Sequence, residues 1–275
     1  MLGNLMKYEW KYIWKKFLLF CGLLVLATII GIASSREFLK LEGINNVAHA
    51  MFSMLGFLLY YALYIGATLG FTLIVAIRFY KAVYGTQGYL THTLPVTPRQ
   101  IYLAHLIVYG ICMSLISVMT QLSIQLVSGT MFDGIFQATG MGGAMSYSSG
   151  AEFFGDLYGM SPFAASLMTT LCMVIGSFSS LLTIYASVVL GQYWKKHKVW
   201  GAVVNYILIQ VVTAIVSVVV YLPYFIRSIM TMESGDPANL LGGGFWGITL
   251  AITIVIGIAT FLIMDHGMTK RLNLE

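Results

Sequence analysis

The side chains best suited to catalysis or metal binding are few in this sequence: His49, His92, His105, His197 and His266, the cysteines Cys21, Cys112 and Cys172, and ten Asp and Glu. A zinc hydrolase would place two histidines and a glutamate on one helical face as HExxH, and that motif is absent. An intramembrane serine protease needs a histidine deep in an apolar helix. Only His105 stands inside an apolar run, and it lies one to two turns from that run's start. A lone histidine there reads as hydrogen-bonded structure before it reads as a catalyst. The cysteines are odd in number, follow no metal spacing and all fall within apolar runs, so they read as small packing residues. No GxxxxGK[ST] phosphate loop occurs; GTQGYLTHT (85–93) has the glycines but no lysine before its threonines. These absences argue against an enzyme and against ATP binding by that motif on this chain, and no cofactor or metal is expected on it.

The elements that carry these residues are set by composition. The chain of 275 residues is 59% hydrophobic and 9% charged, with a mean hydropathy of +0.85. Soluble domains carry about 25% charged residues, so the bilayer is the expected solvent. Six apolar runs, near 16–34, 55–77, 99–127, 162–190, 200–222 and 244–265, are long enough to cross it as helices. A lipid-facing backbone must satisfy its own hydrogen bonds, and runs such as FLLFCGLLVLATIIGIA do not alternate as barrel strands would. The expected fold is a single all-α transmembrane domain of six helices over 1–275. The first run is read as a retained helix and not a cleaved signal.

Charge sets orientation. Lys7, Lys11, Lys15 and Lys16 precede the first run. Arg78, Lys81 and Arg99 fall between the second and third, Lys195, Lys196 and Lys198 between the fourth and fifth, and Lys270 and Arg271 after the last. Only Arg36, Lys40 and Arg227 fall on the other side. Basic connections stay in the cytoplasm, which predicts both termini inside and a multi-pass protein of the cell membrane. The net charge of +5 is then a topology signal and does not imply nucleic acid.

In the first sixteen residues, Tyr8 and Tyr12, and Trp10 and Trp14, recur at spacing four among lysines. This predicts an interfacial helix over 1–15, rings at the headgroups and lysines toward anionic lipid; a plain extension of the first span is the alternative. Proton- and ion-coupled transporters keep ionisable groups at membrane depth, and here the charges fall at span ends. The spans hold neutral polarity instead, notably Gln121 and Gln125 among serines and threonines, and a GxxxG pair, Gly66 and Gly70. Such residues serve helix packing or line a path or a subunit seam. Two outer connections stand out. Residues 128–161 hold eight glycines, three acids and no bases. Residues 223–243 could re-enter the outer leaflet or form an ordinary loop.

The strip RFYKAVYGTQGYLTHTLPVTPRQI (78–101) interrupts this apolar pattern. Thr97-Pro98-Arg99-Gln100 reads as a helix start, with a cap, a proline at the first position and a glutamine closing the capping box. Pro95 disfavours helix at Leu94. Between Gly85 and Leu94 there is room for roughly two turns, a short cytoplasmic helix suited to docking or to lying at the interface.

That strip, with Gly88-Tyr89-Leu90-Thr91-His92-Thr93-Leu94-Pro95 as its most specific part, resembles the permease subunits of ABC-2 type ABC transporters. These are bacterial six-span proteins, often found with antimicrobial-peptide, drug or immunity export. The resemblance is close over the strip and architectural over the rest of the chain. It implies a coupling helix between the second and third spans, with Gly85, Gln87, Gly88, Tyr89, Leu90, Thr91 and His92 meeting a separate ATPase subunit. ATP and magnesium would then sit on that partner, and two permeases, identical or related, would form the path. The 128–161 connection is longer than the simplest members carry. An amphipathic peptide or lipophilic compound is the expected substrate class. A scaffold or signalling subunit that docks a cytoplasmic partner and transports nothing is the alternative.

Overall fold

A computed structural model describes residues 2–39, 47–85, 98–138, 150–194, 197–233 and 244–270. Among them are seven helices and no strand: α1 (Leu2–Leu39), α2 (Val47–Val83), α3 (Pro98–Ala138), α4 (Gly150–Tyr158), α5 (Pro162–Gly191), α6 (Lys198–Glu233) and α7 (Gly244–Lys270). All but α4 are long and apolar enough to cross a membrane, and each contains one of the six runs expected from hydropathy. The protein is therefore read as a multi-pass membrane protein. At 41 residues α3 is about 60 Å long, twice a hydrocarbon core of about 30 Å. It must project beyond the bilayer.

α3 and α5 form the centre. In their most apolar stretches 56% and 50% of residues are buried, against 0% in α6, which lies at the edge against α5. α1 packs between α2 and α3, and α7 and α6 pack on α5, so the α3–α5 contact joins two three-helix halves. Interhelical packing in lipid rests on close contact, since lipid tails are as apolar as leucine. The core at one end of the bundle is accordingly aromatic: Phe79 stacks on Tyr185 at 3.8 Å, and Phe71 meets Phe17 and Phe20 edge-on. The α5–α6 corner depends on small residues. A Cβ on Gly191 would fall 2.5 Å from the Ala202 nitrogen, and one on Gly201 would fall 2.9 Å from the Gly191 oxygen.

α5 begins where its residues predict. Ser161 is extended (φ −62°, ψ 146°), its hydroxyl accepts from the Ala164 N–H at 3.4 Å, and Pro162 occupies the first turn. Three other expectations need correction. Residues 1–15 are not a separate interfacial helix, because α1 runs unbroken from Leu2 to Leu39. Glu9, Ile13 and Phe17, one turn apart, are all buried and hold this segment against the bundle. The connection taken as 128–161 is shorter, since α3 continues to Ala138 and α4 packs on α3 and α5. The stretch taken as 223–243 starts as helix, α6 continuing through Pro223 to Glu233. Residues 86–97, with the proposed coupling helix, lie outside the described residues.

Candidate functional site

Arg78 ends α2's last turns at the margin of the 86–97 connection, and Arg99 opens α3 on its other side. Both are held by carboxylates from other helices. Arg78 forks onto Glu9 of α1, Nε to Oε2 at 3.2 Å and a terminal nitrogen to Oε1 at 2.7 Å. The Tyr109 hydroxyl donates to the same Oε2 at 2.8 Å, and the Tyr12 ring lies 4.2 Å under the guanidinium. The pair is deeply placed, with side-chain exposures of 16% and 11%. His105 stands behind it, its Nδ1 3.7 Å from Glu9 Oε2, its ring parallel to Tyr109 and edge-on to Phe79. The fork geometry and a third donor are what a carboxylate needs to stay charged away from water.

Arg99 repeats the pattern against Asp265 of α7. Nε reaches Oδ1 at 3.1 Å, a terminal nitrogen reaches Oδ2 at 3.0 Å, and the buried Tyr102 donates to Oδ1 at 2.7 Å. Here the arginine side chain is 63% exposed. A recess of about 580 Å³ opens beside this pair, between Leu190, Leu262 and Ile263. Thus the α2 side of the connection is tied to the first helix and the α3 side to the last.

A second feature lies farther along the bundle. α2, α3 and α5 enclose an open cleft of about 260 Å³ whose walls carry hydroxyls from each helix, with Gln121 among its lining residues. Gln121 is 3% exposed.

The residues singled out in the sequence are placed as follows. Gly85 is half-buried in the turn after α2, its N–H donating to the Tyr80 carbonyl at 3.0 Å. Gln87, Gly88, Tyr89, Leu90, Thr91 and His92 lie outside the described residues. Gly70 faces α1, where a Cβ would fall 2.9 Å from Phe20, whereas Gly66 one turn away is exposed with nothing within 4 Å. Gln121 lines the cleft and Gln125 does not; the Gln125 Oε1 accepts from Ser166 at 3.3 Å, and its buried Nε2 has no partner among the described residues. The cysteines are free, Cys112 buried and Cys21 and Cys172 half-buried. Among the described residues no group of His, Cys, Asp and Glu could hold a metal.

Sequence reasoning missed Glu9 and Asp265, and with them the pairing of both arginines. The available signal was Glu9 itself, the single acid among the lysines of the first sixteen residues, with Ile13 and Phe17 following at helical spacing. Comparison of the chain with family models, curated proteins and solved structures finds no match.

Proposed function

We propose that the chain is the membrane permease subunit of an ATP-driven exporter of the ABC-2 type. In this reading it sits in the bacterial plasma membrane with both ends cytoplasmic, pairs with an identical or related permease, and is driven by separate ATPase subunits that hold ATP and magnesium. The observation that carries the reading is the anchoring of the two helix ends on either side of 86–97. The strip that resembles a coupling helix is flanked by Arg78, bound to α1 through Glu9, and by Arg99, bound to α7 through Asp265. A partner that moves the connection moves those two arginines, and with them the first and last helices. Because α1 packs on α2 and α3, and α7 on α5, such a displacement reaches both halves of the bundle. The recess beside Arg99 gives a partner concave surface at the same end. Energy from another chain also fits spans whose charges fall toward their two ends and whose middle is neutral.

The test is purification of the tagged protein from its native cells in gentle detergent, with identification of co-purifying chains and an ATPase assay. A stoichiometric ATPase is expected, lost when Tyr89→Asp and Leu90→Asp are introduced together. Recovery without an ATPase, under conditions that preserve a known transporter, would leave the strip as a docking site for a different partner and the exporter reading would fail.

A further inference from the structure

We propose that the cleft between α2, α3 and α5 binds an uncharged lipophilic molecule bearing N–H or O–H donors. The inference starts from where the cleft's protons go. Thr68 donates to the Tyr64 carbonyl at 3.0 Å, Thr72 to Thr68 at 2.8 Å, Ser117 to Ser114 at 2.9 Å, Ser177 to Val174 at 2.7 Å and Ser180 to Ser177 at 2.9 Å, while Thr120 donates to Ile116. A hydroxyl has one proton and two lone pairs. With each proton turned back onto its own helix, these residues offer acceptors to the cleft. An occupant pairs these hydroxyls only by supplying donors, while the Tyr64 hydroxyl and the Gln121 NH₂ on the same walls can donate in return.

Gln121 is the independent observation. It is 97% buried, lines the cleft, and its amide makes no hydrogen bond with any described residue. The amide itself is not enclosed but opens on the cleft; an amide left unpaired against lipid is costly, and a lipid tail filling the cleft could not satisfy it. A ligand amide could, its N–H given to the glutamine oxygen and its carbonyl receiving the glutamine NH₂. Charge is excluded by the walls. Their lining residues include no Asp, Glu, Lys, Arg or His, so an ammonium or carboxylate would enter without a counter-ion. Met113, Ile116, Ile124 and Met173 provide an adaptable apolar wall for the rest of the molecule. The volume suits one small molecule or one segment of a larger one. This site stands apart from the question of what energises the protein. Ligand labelling tests it and ATPase co-purification tests the transport reading, so either can fail alone.

The experiment uses the full chain in phosphatidylcholine nanodiscs and a photoactivatable long-chain secondary amide. Its N-methylated tertiary amide, which lacks the donor, is the control. Labelling is expected within 113–124 and 172–180, and about tenfold stronger for the secondary amide, the worth of one or two hydrogen bonds. Gln121→Leu should reduce labelling by a similar factor, and Gln210→Leu on the outer helix should not. Cys172 lines the cleft and gives a readout without any substitution: the secondary amide should slow its alkylation by N-ethylmaleimide and leave that of Cys21 unchanged. Equal labelling by both amides, or labelling spread over lipid-facing α6, would overturn the proposal. So would spontaneous copy-to-copy cross-links through the cleft, which would mean that a second copy fills it.

Discussion

Arg78 and Arg99 meet their carboxylates in the same way, through Nε and a terminal nitrogen, and each carboxylate also accepts from a buried tyrosine. Their surroundings differ. The Glu9 pair is enclosed by Tyr12, His105 and Tyr109, whereas Arg99 reaches Asp265 largely through solvent-accessible space, 63% exposed against 16% for Arg78. A desolvated pair cannot open without stranding two charges, while an exposed pair opens at little cost. The end of α2 is therefore fixed on α1 and the start of α3 held releasably on α7, a pivot and a latch.

The largest effect should come from breaking the pivot at one partner. Glu9→Ala leaves the Arg78 guanidinium buried with its carboxylate gone, and is expected to cost about 3–5 kcal/mol. In thermal melting of the solubilised protein this should lower Tm by roughly 10 °C. Replacing both partners with Met should recover most of that stability, because an apolar pair of similar volume removes the stranded charge. If the double variant remains as unstable as the single one, the pair is not the source of the loss.

A smaller loss sharpens the same contrast. Tyr109→Phe keeps the ring that lies parallel to His105 and removes only the hydroxyl that donates to Glu9 at 2.8 Å. A hydrogen bond to a charged group is worth about 1.5–3 kcal/mol. The melting deficit should therefore fall between those of Glu9→Ala and wild type. A Tyr109→Phe variant that melts with wild type would show that the fork alone holds the pivot.

The spans were legible because twenty apolar residues in a row have few alternatives, and the start of α5 because Ser161-Pro162 is a local signal. The fate of the first sixteen residues was not. Tyr, Trp and Lys at spacing four look the same on a helix lying at the headgroups and on one standing against a bundle. What separates the two is the opposite face, Glu9, Ile13 and Phe17, and its meaning depends on Arg78 and Tyr109, 69 and 100 residues away. Asp265 was hidden for the same reason, its partner Arg99 lying 166 residues back. The neutral polarity of Gln121 was visible as a residue type. That it would share a cleft with Thr68 and Thr72 of α2 and Ser177 of α5 depends on helix order around the bundle, which no local pattern encodes.

The smallest effect, and the one that discriminates most between pivot and latch, is at Asp265. Asp265→Asn keeps a carbonyl oxygen to accept from Tyr102 and Arg99 Nε, and removes the charge facing Arg99 together with the second acceptor of the fork. Stability at low salt should fall slightly, and the difference from wild type should vanish near 1 M salt, where the Debye length is about 3 Å. The Glu9→Ala deficit should persist at that salt, because mobile ions do not reach a desolvated pair. Hydrogen exchange localises the change: amides in the last turns of α7 should exchange faster in Asp265→Asn, and those of α1 around Glu9 should not. If added salt leaves the Asp265→Asn difference intact, Arg99 is not acting as an exposed partner and both ends of the connection are fixed. Motion of the strip would then have to carry α1 and α7 together as one body.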